Sequence, residues 1–65
     1  MHELSIAEAL VAAVRRELGA LSPAAVRRVR VQVGALRLIE PTALRFCYAG
    51  AARENGLTES ELILE

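Results

Sequence analysis

At 65 residues the chain makes one small domain at most, and a domain of this size buries only about 60% of its unfolded surface, so its stability is marginal without support. Apolar residues form 54% of the chain, too many for disorder by composition, yet there is no run of about eighteen apolar residues to span a membrane, and His2 and Glu3 stand where a signal peptide has its basic start. Eight arginines balance eight glutamates with no lysine or aspartate, so the basic excess of a nucleic-acid binder is missing, and the single cysteine, Cys47, excludes an internal disulfide or a four-cysteine zinc site.

The first expected element is a helix over about residues 4–18. Ser5-Ile6-Ala7-Glu8 has the form of a capping box, in which the Ser5 hydroxyl accepts from the Glu8 amide and the Glu8 side chain reaches back. Ala7, Leu10, Val11, Val14 and Leu18 then recur at helical spacing. Arg15 and Arg16 suit the negative end of the helix dipole, and Gly19 is a natural stop. Ser22-Pro23 breaks the chain.

Val29, Val31 and Val33 alternate with Arg28, Arg30 and Gln32, the period of a half-buried strand ending near Gly34. The valine face should pack on a helix, and the arginine face should meet solvent or a partner. Pro41 suits the first position of a second helix, with Leu44, Cys47, Tyr48 and Ala51 as its apolar stripe and Asn55-Gly56 as its end. On that stripe Cys47 reads as a small buried hydrophobe and Tyr48 as a core residue with a satisfied hydroxyl. Glu61-Leu62-Ile63-Leu64-Glu65 reads as a second strand.

The order α-β-α-β gives an α/β fold: a small two-layer domain with two helices packed on a short sheet. A helical connection between strands favours a parallel or split arrangement over a hairpin. Two strands make a poor sheet, and an apolar edge is seldom left open. A further strand is therefore expected from a downstream segment or from a second copy, the latter as a homodimer through strand exchange.

The strongest chemical signal is Met1-His2-Glu3. A free terminal amine, the amide nitrogen of His2 and its imidazole can close adjoining small chelate rings on one ion, and the Glu3 amide can complete a planar set of nitrogens. Such sets suit Ni(II) or Cu(II), and copper binds the more tightly of the two, so the ligand chemistry by itself does not choose nickel. The bland alternative is that these residues only give a polar lead-in to the first helix.

Three stretches extend the signal: Met1-His2-Glu3-Leu4-Ser5-Ile6-Ala7, Val29-Arg30-Val31-Gln32-Val33-Gly34-Ala35-Leu36, and Ile39-Glu40-Pro41-Thr42-Ala43-Leu44-Arg45-Phe46. Together with the acidic-apolar end from Glu59 to Glu65, they resemble the HypA family in order and spacing over nearly the whole chain. The resemblance implies a nickel metallochaperone for nickel–iron hydrogenase maturation, and in some organisms for urease. It would pass Ni(II) between a HypB-type GTPase accessory protein and the hydrogenase large-subunit precursor. It also implies that nickel is held by the Met1 amine, the backbone and side chain of His2, and Glu3, with Glu40 as an additional ligand. Glu40 has a second reading, since directly before Pro41 it sits where a carboxylate caps a helix.

There are departures from the family pattern. Ala35 stands where the family often has glutamate. Family members also continue into a structural zinc domain with two Cys-x-x-Cys pairs and then return a final strand. Residues 1–65 are accordingly expected to be the nickel-binding domain, cut before the zinc domain and without a zinc ligand set. Cytoplasmic location, no membrane and no nucleic-acid partner are the matching expectations. An enzyme is a poor reading, because one histidine and no aspartate leave few acid–base pairs and no Gly-rich phosphate loop is present. The competing function is a metal-free α/β interaction or dimerisation module.

Overall fold

The computed structural model describes residues 2–32 and 38–65. Helix α1 spans His2–Leu18, strand β1 Arg28–Val31, helix α2 Pro41–Glu54 and strand β2 Glu61–Leu64. The expected α-β-α-β order is therefore present. The expected end of the first strand, at Val33 and Gly34, lies outside the described residues, as does Ala35.

Helix α1 begins earlier than the sequence signals suggest. Ser5 and Glu8 lie inside it, both exposed, so the Ser5 capping box is not the start of the helix. Nothing between His2 and Leu4 interrupts a helix, and Glu3 places a carboxylate in the first turn, where unpaired amides and the positive end of the dipole favour it. Gly19, at φ +58°, ends α1 in the left-handed conformation. Ser22 then opens a single 3-10 turn, Pro23–Ala25, its hydroxyl accepting from the Ala24 amide at 3.3 Å.

The strands β1 and β2 are adjacent and parallel, with Arg28 beside Glu61, Val29 beside Leu62, Arg30 beside Ile63 and Val31 beside Leu64. The Glu61 amide donates to the Arg27 carbonyl at 2.9 Å and the Glu65 amide to the Val31 carbonyl at 2.8 Å, extending the ladder at both ends. Val29 and Val31 are half-buried against the core while Arg28 and Arg30 are exposed, as the alternation requires. Arg30 meets Glu65 at 3.1 Å, an exposed pair of the kind that adds at most about 1 kcal/mol.

Ala7 and Val11 of α1 pack with Leu44, Tyr48, Ala51 and Ala52 of α2, and Leu57 and Leu62 close the cluster. Cys47 is half-buried at its margin rather than fully buried. The Tyr48 hydroxyl lies 2.8 Å from Ser60 Oγ, and the Ser60 hydroxyl donates to the Leu57 carbonyl at 2.9 Å, so the phenol is satisfied as expected. Between α1 and β1 packing is less complete. Leu10, Val14, Leu18, Leu21, Val29 and Val31 line an open apolar groove there.

The helices lie side by side and run in the same direction. Near their C-terminal ends Arg15 Nη1 donates to Asn55 Oδ1 at 3.2 Å, and near their N-terminal ends Glu3 meets Glu40. Asn55 also donates through Nδ2 to the Ala51 carbonyl at 2.8 Å, closing the end of α2. Gly56 follows at φ +80°, so that the Leu57 amide can return to the Ala52 carbonyl at 2.8 Å.

Two glycines should therefore respond oppositely to alanine. At Gly56 a Cβ would sit 3.4 Å from Pro23 Cβ on a left-handed backbone, and Gly56→Ala should lower unfolding stability by about 1–2 kcal/mol. At Gly50, inside α2, a Cβ meets open space, and Gly50→Ala should raise stability by about 0.5–1 kcal/mol. Urea denaturation followed by circular dichroism reads both, and equal signs would contradict the described backbone.

Candidate functional site

The sequence places its candidate ligands at the start of α1 and directly before α2, two points far apart in the chain. Glu40 is the N-cap of α2: its backbone is extended at φ −81° and ψ 116°, and Pro41 supplies the first helical position without needing an acceptor. Its Oε1 accepts from the Ala43 amide at 2.8 Å and its Oε2 from the Thr42 amide at 3.2 Å. The capping reading of Glu40 is thus what the structure holds.

The Glu40 amide donates in turn to Glu3 Oε2 at 3.3 Å. A side chain in the first turn of α1 therefore holds the residue that starts α2. No local spacing announces this contact, because its partners are 37 positions apart and meet only through the packing of the two helices. Because the helices are parallel, two positive dipole ends share one end of the domain, and each has its own carboxylate.

His2 is the first described residue of α1 and is exposed. The amides of His2 and Glu3 belong to the opening turn, where N–H groups have no carbonyl of their own helix to bond. Met1 lies outside the described residues. Among the described residues, no three His, Cys, Asp or Glu side chains are gathered closely enough to hold a metal ion. Two of the expected ligand residues, Glu3 and Glu40, are in direct contact, while Cys47 sits on α2 at the margin of the core.

The Glu3 carboxyl titrates below its ordinary value of 4.5, chiefly because its own backbone N–H stabilises the anion and next because the Glu40 N–H does. A carboxylate with a lowered folded value contributes its tie in full above the unfolded value, and the tie is lost as pH falls through the folded one. The Glu40 amide proton should therefore shift in an NMR titration with a midpoint below 4.5. Glu3→Gln should abolish that step, and a midpoint at or above 4.5 would contradict the contact.

Residues 1–65 match a family model described as hydrogenase/urease nickel incorporation, metallochaperone, hypA. Among curated relatives, the hydrogenase maturation factor HypA of Chlorobium limicola is 38% identical over 65 residues, covering 100% of this chain and 56% of the relative. That of Rhodopseudomonas palustris (strain BisA53) is 37% identical over 55 residues, covering 85% and 49%. That of Methylocella silvestris is 43% identical over 53 residues, covering 82% and 47%. The chain spans about half the length of the curated relatives it matches. No solved structure matches. Matched along its whole length, the chain belongs to the HypA family of hydrogenase and urease nickel-incorporation metallochaperones.

Proposed function

We propose that these residues form the nickel-binding unit of a metallochaperone that serves nickel–iron hydrogenase maturation. Ni(II) is the cargo. Its ligands are the amine of Met1, the amide nitrogens of His2 and Glu3, and the His2 imidazole, with the Glu40 carboxylate as an additional donor. A HypB-type GTPase accessory protein and the hydrogenase large-subunit precursor are the proposed partners in delivery, in the cytoplasm. The observation that carries this reading is the start of α1 at His2, which leaves the amides of His2 and Glu3 without an acceptor in their own helix.

The chemistry is consistent with that start. Nickel bound by consecutive nitrogens requires amide deprotonation, and the resulting negative charge forms at the positive end of a helix, where anions are stabilised. A planar chelate also needs each N–Cα–C–N torsion near zero, whereas a helix holds ψ near about −42°. Among the described residues the torsion that must relax is that of His2. It precedes Glu3, so the rest of α1 and its tie to α2 need not move. Deprotonation of the amine, with an ordinary pKa of about 7.7–8.0, makes binding release protons and weaken as pH falls. Release on delivery to a partner is thus within reach of small changes in the site.

A second reading rests on the apolar groove between α1 and β1 and on the two-stranded sheet of the described residues, both of which leave apolar surface unpaired. On that reading the domain is a metal-free interaction or dimerisation module, and strand exchange between copies fills the sheet.

The amino-terminal site is tested by calorimetry with nickel chloride. One residue added before Met1 separates the amine from His2 and should abolish or sharply weaken binding, as should His2→Ala. Affinity unchanged in both variants would sink the nickel reading. Sedimentation that depends on protein concentration but not on nickel, in the same preparations, would then favour the interaction module.

A further inference from the structure

The Glu3 carboxylate has a role separate from that of the Glu3 amide nitrogen. It accepts the Glu40 N–H at 3.3 Å, while Glu40 turns its own carboxylate to the amides of Thr42 and Ala43. These contacts link the opening of α1 to the opening of α2 through side chains whose backbones are fixed by two packed helices. We propose that the Glu3 side chain is not itself a nickel ligand but a positioning residue, which holds Glu40 beside the metal-binding amino terminus. The proposal rests on the amino-terminal site proposed above and assigns the side chain of one of its residues.

Two observations support this division of labour. Glu3 has its carboxylate already engaged by the Glu40 N–H, and leaving it to reach a metal would give up that bond. Glu40, by contrast, can cap and coordinate together. A carboxylate offers about four lone-pair sites, and its two capping bonds use only two of them.

The inference also states what the tie is for. Glu40 is placed by the cap of α2, and the first turn of α1 is held against that cap only through Glu3 among the hydrogen bonds described at this end. Without Glu3 the two helix starts still neighbour one another through Ala7 and Leu44, but the backbone of Glu40 loses its fixed point on α1. Groups that orient a metal ligand in this manner commonly change affinity by about 10–100-fold when removed.

The test is nickel chloride calorimetry on the full chain at one fixed pH, with Glu3→Gln, Glu3→Ala, Glu40→Ala, the Glu3→Ala/Glu40→Ala double variant, and His2→Ala. The glutamine carbonyl oxygen can accept the same Glu40 N–H, so Glu3→Gln should bind nickel within about twofold of the parent. Glu3→Ala should weaken binding about tenfold or more. In the Glu40→Ala background the Glu3→Ala change should add nothing, because a positioning group has no effect once the group it positions is gone. Thermal melts of the apo variants identify any that fail to fold, and Glu3→Gln, which keeps the hydrogen bond, remains decisive if Glu3→Ala does not. Equal loss in Glu3→Gln and Glu3→Ala would make the carboxylate a ligand and overturn the inference, as would Glu3→Ala without effect or effects that simply add. If His2→Ala leaves affinity intact, the amino-terminal site itself falls. If His2→Ala abolishes binding while Glu3→Gln fails to rescue, only the positioning role falls.

Discussion

Two parallel strands cannot be joined by a tight turn, and this constraint organises the domain. The chain must leave β1, cross the sheet as α2 and re-enter as β2 in the same direction. Helix α1, packed beside α2 and running the same way, then has its N-terminus at the same end as that of α2. Every feature of the candidate site descends from this shared end. It brings Glu3 to Glu40, and it sets two positive dipole ends side by side. Antiparallel packing of the same two helices would have put the residues from His2 to Leu4 beside Asn55 instead.

The placement of two like dipole ends together is unfavourable by itself, and the sequence answers it with carboxylates. Glu40 fills the N-cap of α2 and Glu3 the first turn of α1. The lowered titration of Glu3 is the electrostatic trace of that arrangement, since the anion is held by backbone N–H groups. The same surplus of unpaired N–H groups at a helix start is what makes amide nitrogens accessible to a metal that can displace their protons. Structural capping and the proposed metal chemistry therefore draw on one feature, the unfinished hydrogen bonding of a helix N-terminus.

A small domain has little core to spare for such an end. The buried cluster is short, with alanines at Ala7, Ala51 and Ala52 letting α1 and α2 come close, and Leu44 and Leu57 filling its centre. Around it the packing is partial: Val29, Val31 and Leu64 are only half-buried, and an apolar groove runs between α1 and β1. The polar contacts at either end of the helix pair, Glu3 with Glu40 and Arg15 with Asn55, thus set the register of α1 along α2 where apolar contact alone would allow sliding.

Periodicity made the elements legible. The stripe from Ala7 to Leu18, the alternation of Val29 and Val31 with arginines, and the run from Leu44 to Ala51 each carry their own repeat, which is local information. The cap at Glu40 was also readable, because Pro41 fixes the next position. The start of α1 was not, since Ser5-x-x-Glu8 satisfies the same pattern that a helix beginning at His2 leaves unused on its exposed face. Likewise the residues for a nitrogen chelate at Met1-His2-Glu3 are contiguous, so covalent geometry alone suggests them. Only the tertiary structure decided that the Glu3 carboxylate answers to Glu40 across 37 positions, because that contact depends on the direction in which two helices pack, which no residue spacing encodes.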